Sequence, residues 1–284
     1  MSAEALAGIQ SPPSPQRRRS RATSLRVGTV LGLLIVAVAA LAPVLATHDP
    51  YQQDLSNSFE GWTDEHLLGT DLLGRDLFAR TLYGLRLDLR IAVTAVAMTF
   101  FVGLVLGALA GYGPRWLDTL IMRIGDAIIA FPTLVLLLTL VFVLGPGELS
   151  IYIWAVTFSW VPYARILRSE LLVARGQEYV LAAQVGGLSK LRIVVRHLLP
   201  NTITQSVVFA MSDVVFMMLS IVVLSYLGLG VPPPTPGLGQ LIAEGQNLVT
   251  VRPALVTIPG LVIVVVGIAA SLLGDGLAAK LDRR

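Results

Sequence analysis

The sequence contains no cysteine and only three histidines in 284 residues. The first absence excludes disulfides and thiolate metal centres. The histidines, His48, His66 and His197, lie far apart, and none sits in a His-Glu-x-x-His pattern. Charge is scarce too: Asp, Glu, Lys and Arg make up 14% of the chain, against about 25% in a soluble domain. No Gly-Lys-Ser/Thr sequence is present, so there is no phosphate-cradling loop; Gly186-Gly187-Leu188-Ser189-Lys190 has those residue types at the wrong spacing. No nucleophile–base pair stands out, which argues against an intramembrane enzyme: the chain offers no catalytic residues, no cofactor-binding residues and no metal ligands. The pI is near 9.4, but the basic residues are not pooled in one patch, so nucleic acid is not the implied partner.

What is present is apolar. Hydrophobic residues make up 55% of the chain, more than one water-soluble core can hide, which predicts an all-α integral membrane protein in contact with lipid. Residues 1–26, rich in Pro, Ser and Arg, read as a disordered tail. The membrane domain covers 27–284, with six expected spans at about 27–45, 89–110, 124–144, 151–167, 203–227 and 254–273. Ala40-Leu41-Ala42 resembles a signal-peptidase site, but Pro43 follows, so the first run is expected to remain as a span. Gly103, Gly107 and Gly111 recur every four residues and predict a face for close helix packing. Pro132 predicts a kink in the third run. Asp213 lies inside the fifth, where a carboxylate is a functional candidate or a structural hydrogen-bond partner.

Loop charges predict orientation. The N-terminal tail carries five Arg against one Glu, and loop 165–196 carries six basic residues against Glu170 and Glu178. The 48–88 loop holds eight acids against three Arg. With six spans the basic loops share one side, which places both termini in the cytoplasm. His48 and His66 then lie outside and His197 inside, so the three cannot share one metal and each reads as a surface or interface histidine. In the outer loop, Thr70 or Asp71 is expected to cap a helix running to about Tyr83, with Leu73, Leu77 and Phe78 as its apolar stripe on the outer membrane surface.

The most distinctive stretch is Glu178–Asn201, a polar interruption on the predicted cytoplasmic side. Two short helical patterns meet at Gly186-Gly187, where glycine permits a sharp reversal. Ser189 is placed to cap the second helix. Leu188, Leu191, Val195 and Leu198 recur at helical spacing, with Arg192 and Arg196 on another face. Pro200 is expected to close the segment and Asn201 to cap the next helix. The pattern alone fits a basic amphipathic helical hairpin presented to a partner, and it equally fits a plain loop in the headgroup region.

This stretch resembles the Glu-Ala-Ala-type loop of permease subunits of bacterial ABC importers: Ala182-Ala183, Gly187 and Leu199-Pro200 stand at the family spacing, with Leu181 in place of Glu and His197 in place of Ile. Three more stretches resemble the dipeptide/oligopeptide/nickel permeases, "C" type. They are His66-x-x-Gly69-Thr70-Asp71-x-x-Gly74-Arg75-Asp76, then Leu227-Gly228-Leu229-Gly230 before Pro232-Pro233-Pro234-Thr235-Pro236, and Gly274-Asp275-Gly276-Leu277. The chain departs from the family at Ile221, where relatives often carry an acid, at Leu238, where they often carry Trp, and at Ala278-Ala279, where Arg-Asp often follows. The resemblance implies the type I ABC importer permease fold with six transmembrane helices and a cytoplasmic coupling helix, whose contacts would come from Glu178, Ala182, Ala183, Gly187, Ser189, Arg192, Arg196, His197 and Pro200. It implies a multi-pass protein of the bacterial cell membrane. The implied partners are a homologous "B" type permease, ABC ATPase subunits that hold the ATP and Mg this chain does not bind, and an extracytoplasmic solute-binding protein. The implied cargo is dipeptides, oligopeptides or a related solute such as a nickel chelate or haem. The competing reading of the residues is a stand-alone secondary transporter or channel with Asp213 as its ion site.

Overall fold

In lipid every backbone N–H and C=O must be satisfied within the protein, and a helix does this locally. The computed structural model describes residues 15–281 and has no strand among them, only one isolated bridge between Thr70 and Asp76. The readings made for residues 1–14 and for the last three residues lie outside the described residues. Every apolar run is helical. The first is α1 (Pro15–Ala40) followed by the short α2 (Ala42–Leu45); the second is α3 (Leu77–Tyr112). The third divides into α4 (Arg115–Ile129) and α5 (Thr133–Leu144), and the fourth into α6 (Glu148–Phe158) and α7 (Val161–Ala174). Next come α8 (Glu178–Val185), α9 (Lys190–Ile193), the long α10 (Leu199–Tyr226), the short α11 (Leu238–Gly245) and α12 (Ala254–Leu281).

Three helices are by themselves long and apolar enough to cross a bilayer: Leu77–Tyr112, the continuous Lys190–Tyr226, and Ala254–Gly274. The third run is bent far more than a kink, with α4 and α5 meeting at 87°. Pro132 stands at the N-cap of α5, since a residue that fixes φ and lacks an N–H starts a helix readily and continues one badly. The fourth run breaks at Ser159-Trp160 for the same reason, with Pro162 in the first turn of α7.

The tail expected to be unstructured through residue 26 is helical from Pro15 onward. The described part of that helix lies along α12: Ser24 Oγ donates to the Leu272 carbonyl at 3.3 Å. A Cβ on Gly28 would stand 2.7 Å from Leu273 N, so only glycine permits this approach. Packing against α12 supplies order that composition alone did not predict.

The glycine face of α3 is used as its spacing predicts. Gly103 faces Tyr163 and the Trp160 carbonyl, Gly107 faces Ala164 and Leu167, and Gly111 faces Leu171 and Arg168, so α3 and α7 cross in close contact. Around α3 the core collects Ile91, Ala95, Ile151, Trp154, Met218, Ile221, Leu238 and Leu241. Ile221 and Leu238, the positions where relatives often carry an acid and a Trp, are both fully buried there. Asp88 Oδ2 accepts the Leu238 N–H at 3.0 Å, which fixes the start of α11 against α3.

Candidate functional site

The Glu178–Asn201 stretch folds as a helical hairpin. Gly187 has φ +72°, the Gly187 N–H reaches the Gln184 carbonyl at 3.0 Å, and the Leu188 N–H reaches the Ala183 carbonyl at 3.2 Å. This pair of bonds is the Schellman ending that a left-handed glycine makes possible. Three finer expectations are corrected. Ser189 occupies the N-cap position of α9, but its hydroxyl makes no capping bond. Pro200 does not close the segment: a π turn at Val194–Leu198 carries the chain directly into α10, with the Leu199 N–H bonded to the Val194 carbonyl. Such a wider turn absorbs a proline that lacks a donor and would crowd the carbonyl four residues back. Asn201 does not cap; its Nδ2 donates to the His197 carbonyl at 2.8 Å.

The apolar residues of the hairpin divide between two sides. Val180, Ala183, Ile193 and Leu198 are buried in a cluster with Leu167 and Leu171 of α7, and Leu104 and Ala108 of α3 pack against it. Leu191 and Val195, read from spacing as one stripe with Leu188 and Leu198, face outward instead, because the π turn rotates the register between them. Leu181 and Val185 of α8 are exposed apolar residues too, Val185 at 90%. Glu178, Ala182, Gly187, Ser189, Lys190, Arg192 and Arg196 are exposed as well, while His197 is half-buried. The hairpin is therefore fixed to the ends of α3 and α7 on one side and presents an apolar, basic-rimmed surface on the other.

A second feature lies where the two helix breaks face α10. A cleft of about 320 Å³ is lined by Thr133 of α5, Trp154 of α6, Ser159 at the α6–α7 break, and Ser212, Asp213 and Ser220 of α10. Asp213 Oδ2 accepts the Tyr163 hydroxyl at 2.7 Å, and the Tyr163 ring packs edge-on against Phe100 and Phe209. Asp213 has no basic partner among the described residues. Trp154 Nε1 and Ser159 Oγ are buried without a hydrogen-bond partner. The one carboxylate lining this otherwise mostly apolar cleft is Asp213.

The Gly69–Asp76 motif forms a third feature at the opposite end of α3. The helix cap is Asp76, whose Oδ2 accepts the Ala79 N–H at 2.7 Å. This corrects the expected cap at Thr70 or Asp71: the helix starts at Leu77 and runs without a break into the span, so no separate surface helix exists. Gly69 and Gly74 have φ of +79° and +69° and lie against the Glu60 and Asp54 carbonyls. Thr70 is buried, and its Oγ1 accepts the Glu60 N–H at 2.8 Å. Asp71 turns into a buried ion network. Arg75 Nε reaches Asp71 Oδ2 at 2.7 Å, and Arg75 Nη2 reaches Glu244 Oε2 at 2.9 Å. The fully buried Arg80 bridges Asp71 and Glu244, the latter at 2.7 Å. Two cations and two carboxylates thus tie the 69–80 segment to α11. Glu244 was not singled out in the sequence, since nothing local marks an acid whose partners lie 164 and 169 residues away.

The profile of the family described as "Binding-protein-dependent transport system inner membrane component" matches residues 103–284. The chain is 37% identical over 94% of its length to the glutathione transport system permease protein GsiD of Escherichia coli, covering 88% of that protein. It is 36% identical over 90% of its length to the di/tripeptide transport system permease protein DppC of Pseudomonas aeruginosa, covering 86% of it. Against the dipeptide transport system permease protein DppC of Alkalihalophilus pseudofirmus it is 34% identical, covering 95% of this chain and 90% of that one. Among solved structures, a chain of the MetNI methionine ABC transporter in inward-facing conformations superposes with a TM-score of 0.54 at 16% identity, over 70% of this chain and 96% of that chain.

Proposed function

The chain belongs to the family of binding-protein-dependent transport system inner membrane components, and from that premise we propose that it is the membrane-spanning permease subunit of an ATP-driven importer for short peptides. Its fold is the type I ABC importer permease fold, and it is a multi-pass membrane protein rather than an enzyme. The observation that carries the finer reading is the two-sided hairpin at Glu178–Asn201. One side is cemented to the span ends by Val180, Ala183, Ile193 and Leu198. The other offers Leu181, Val185, Leu191 and Val195 with Lys190, Arg192 and Arg196 around them. A rigidly mounted knob with an uncovered apolar surface suits docking into a cleft of an ATPase subunit, and it passes rigid-body motion to α7 and α10. The chain has no phosphate-binding loop of its own, so nucleotide and Mg belong to that partner. A homologous permease supplies the other half of the pathway, and an extracytoplasmic binding protein delivers cargo.

The basic loops favour a cytoplasmic hairpin and cytoplasmic termini. Peptide is the cargo class that the similar proteins support, and the Asp213 cleft is the stretch of pathway this subunit contributes. A carboxylate beside the serines Ser212 and Ser220 matches the ammonium and amide groups of a peptide. The test is reconstitution of the chain with its partner subunits in liposomes. Labelled dipeptide should accumulate only with ATP on the side of the ATPase. Uptake driven by an ion gradient without ATPase would instead establish a secondary transporter using Asp213.

A further inference from the structure

We propose that the pocket at the outer end of α3 is a binding site for a divalent transition-metal ion, held by His48, His66 and Asp76. One donor atom from each of these residues lies within 4.8 Å of the other two. The rings of His48 and His66 approach with centroids 4.6 Å apart, and His66 Nδ1 is 2.9 Å from Asp76 Oδ1. The group is built into the fold. His66 and Asp76 are buried, while His48 is half-buried.

Its surroundings favour a cation. The cavity they face, about 200 Å³, is also lined by Asp49, Asp54 and Glu65, and by no Lys or Arg. Hydrogen bonds from the Ser56 hydroxyl and N–H hold the Asp54 carboxyl below its ordinary range, so it adds negative charge. Asp76 Oδ2 is committed to the cap of α3, while Oδ1 pairs with His66 Nδ1, a contact that an ion held by both atoms would replace. Glu60 Oε2, 3.9 Å from His66 Nε2, adds a further carboxylate beside the group.

Bonds to a zinc-like ion are about 2.0–2.2 Å, so donors around it sit closer together than the outer limit seen here. The adjustment falls on His48, which follows α2 and is hydrogen-bonded only to its neighbour Thr47, at 3.1 Å. Two imidazoles and one carboxylate select zinc, nickel or cobalt over magnesium and calcium, which prefer all-oxygen sites. The ion would join the residue just after α2 to the residue that caps α3, closing both ends of the 48–76 loop. No local pattern marks the group, because positions 48, 66 and 76 come together only in the folded loop.

The full-length chain, with its affinity tag removed and stripped by chelator, is titrated with zinc chloride and separately with cobalt chloride. One ion per chain is expected, with visible cobalt absorption bands and a higher melting temperature in zinc. His48→Ala should weaken binding by at least about tenfold, since even loss of an outer-shell partner has an effect of that size. The same variant should retain the melting temperature of the metal-free parent. His197→Ala, at the other end of the protein, should bind as the parent does. No binding at micromolar free zinc, or binding unchanged in His48→Ala, would overturn the proposal and leave His66 as the partner of Asp76 alone. The titration needs no ATPase or cargo, so its outcome is independent of the transport reading.

Discussion

Val185 offers the sharpest test of the docking surface, because it is 90% exposed and occurs just before the turn that ends at Gly187. A substitution at so open a site should change folding stability by no more than about 0.5 kcal/mol. If the residue is buried in a partner's cleft, its contribution there is large. Val185→Ala removes two carbons at about 0.8 kcal/mol each, close to a tenfold loss of affinity at about 1.4 kcal/mol per decade. Val185→Asp forfeits the whole side chain, about 1.5–3 kcal/mol, and adds the desolvation of a carboxylate. Its loss should reach about 100-fold or more. Ala183→Asp is the contrasting variant: Ala183 is buried between the hairpin and α7, so that change should loosen the hairpin and lower thermal stability. The assay is co-purification of each variant with its ATPase subunit, titrated by concentration, alongside the melting temperature of the isolated chain. Wild-type affinity in both Val185 variants would refute the docking surface. A stability loss in Val185→Asp equal to that in Ala183→Asp would show that the two sides of the hairpin have been assigned wrongly.

Arg80→Met should destabilise the protein by about 1–3 kcal/mol, because Asp71 and Glu244 are left sharing Arg75 alone while the part-exposed Glu244 is screened by solvent; the melting temperature of the purified chain reads this, and an unchanged value would discount the network. Gly107→Val should cost about 1–3 kcal/mol by forcing α3 away from Ala164 and Leu167, measured by the same unfolding assay. Asp213→Asn retains an acceptor for the Tyr163 hydroxyl while removing charge, so complex assembly should persist and peptide uptake should fall severalfold; full uptake would remove Asp213 from the pathway. Since the chain has no cysteine, Trp62→Cys and Val185→Cys can each be labelled singly in cells that express the chain without its ATPase subunit. An impermeant maleimide should reach the first from outside and the second only after permeabilisation, and the reverse pattern would invert the topology.

The sequence by itself determined the membrane class, the helical content and the small-residue face of α3, because each rests on local chemistry: long apolar runs, backbone bonds closed within a helix, and glycine every four residues. It also determined the turn at Gly187, where a left-handed residue ends one helix. Only the tertiary structure decided which side of the hairpin is free, since a π turn at Val194–Leu198 shifts the register that simple spacing assumes. The same holds for Pro132: it was legible as an interruption, but the 87° bend between α4 and α5 depends on what the two halves pack against, and the break before Pro162 was not read from the sequence at all. The pairing of Arg75 and Arg80 with Glu244, of Tyr163 with Asp213, and of His48 with His66 and Asp76 was not legible at all. Those contacts join residues from 10 to 169 positions apart, and they form only when separate helices and loops are brought together by packing that no local pattern encodes.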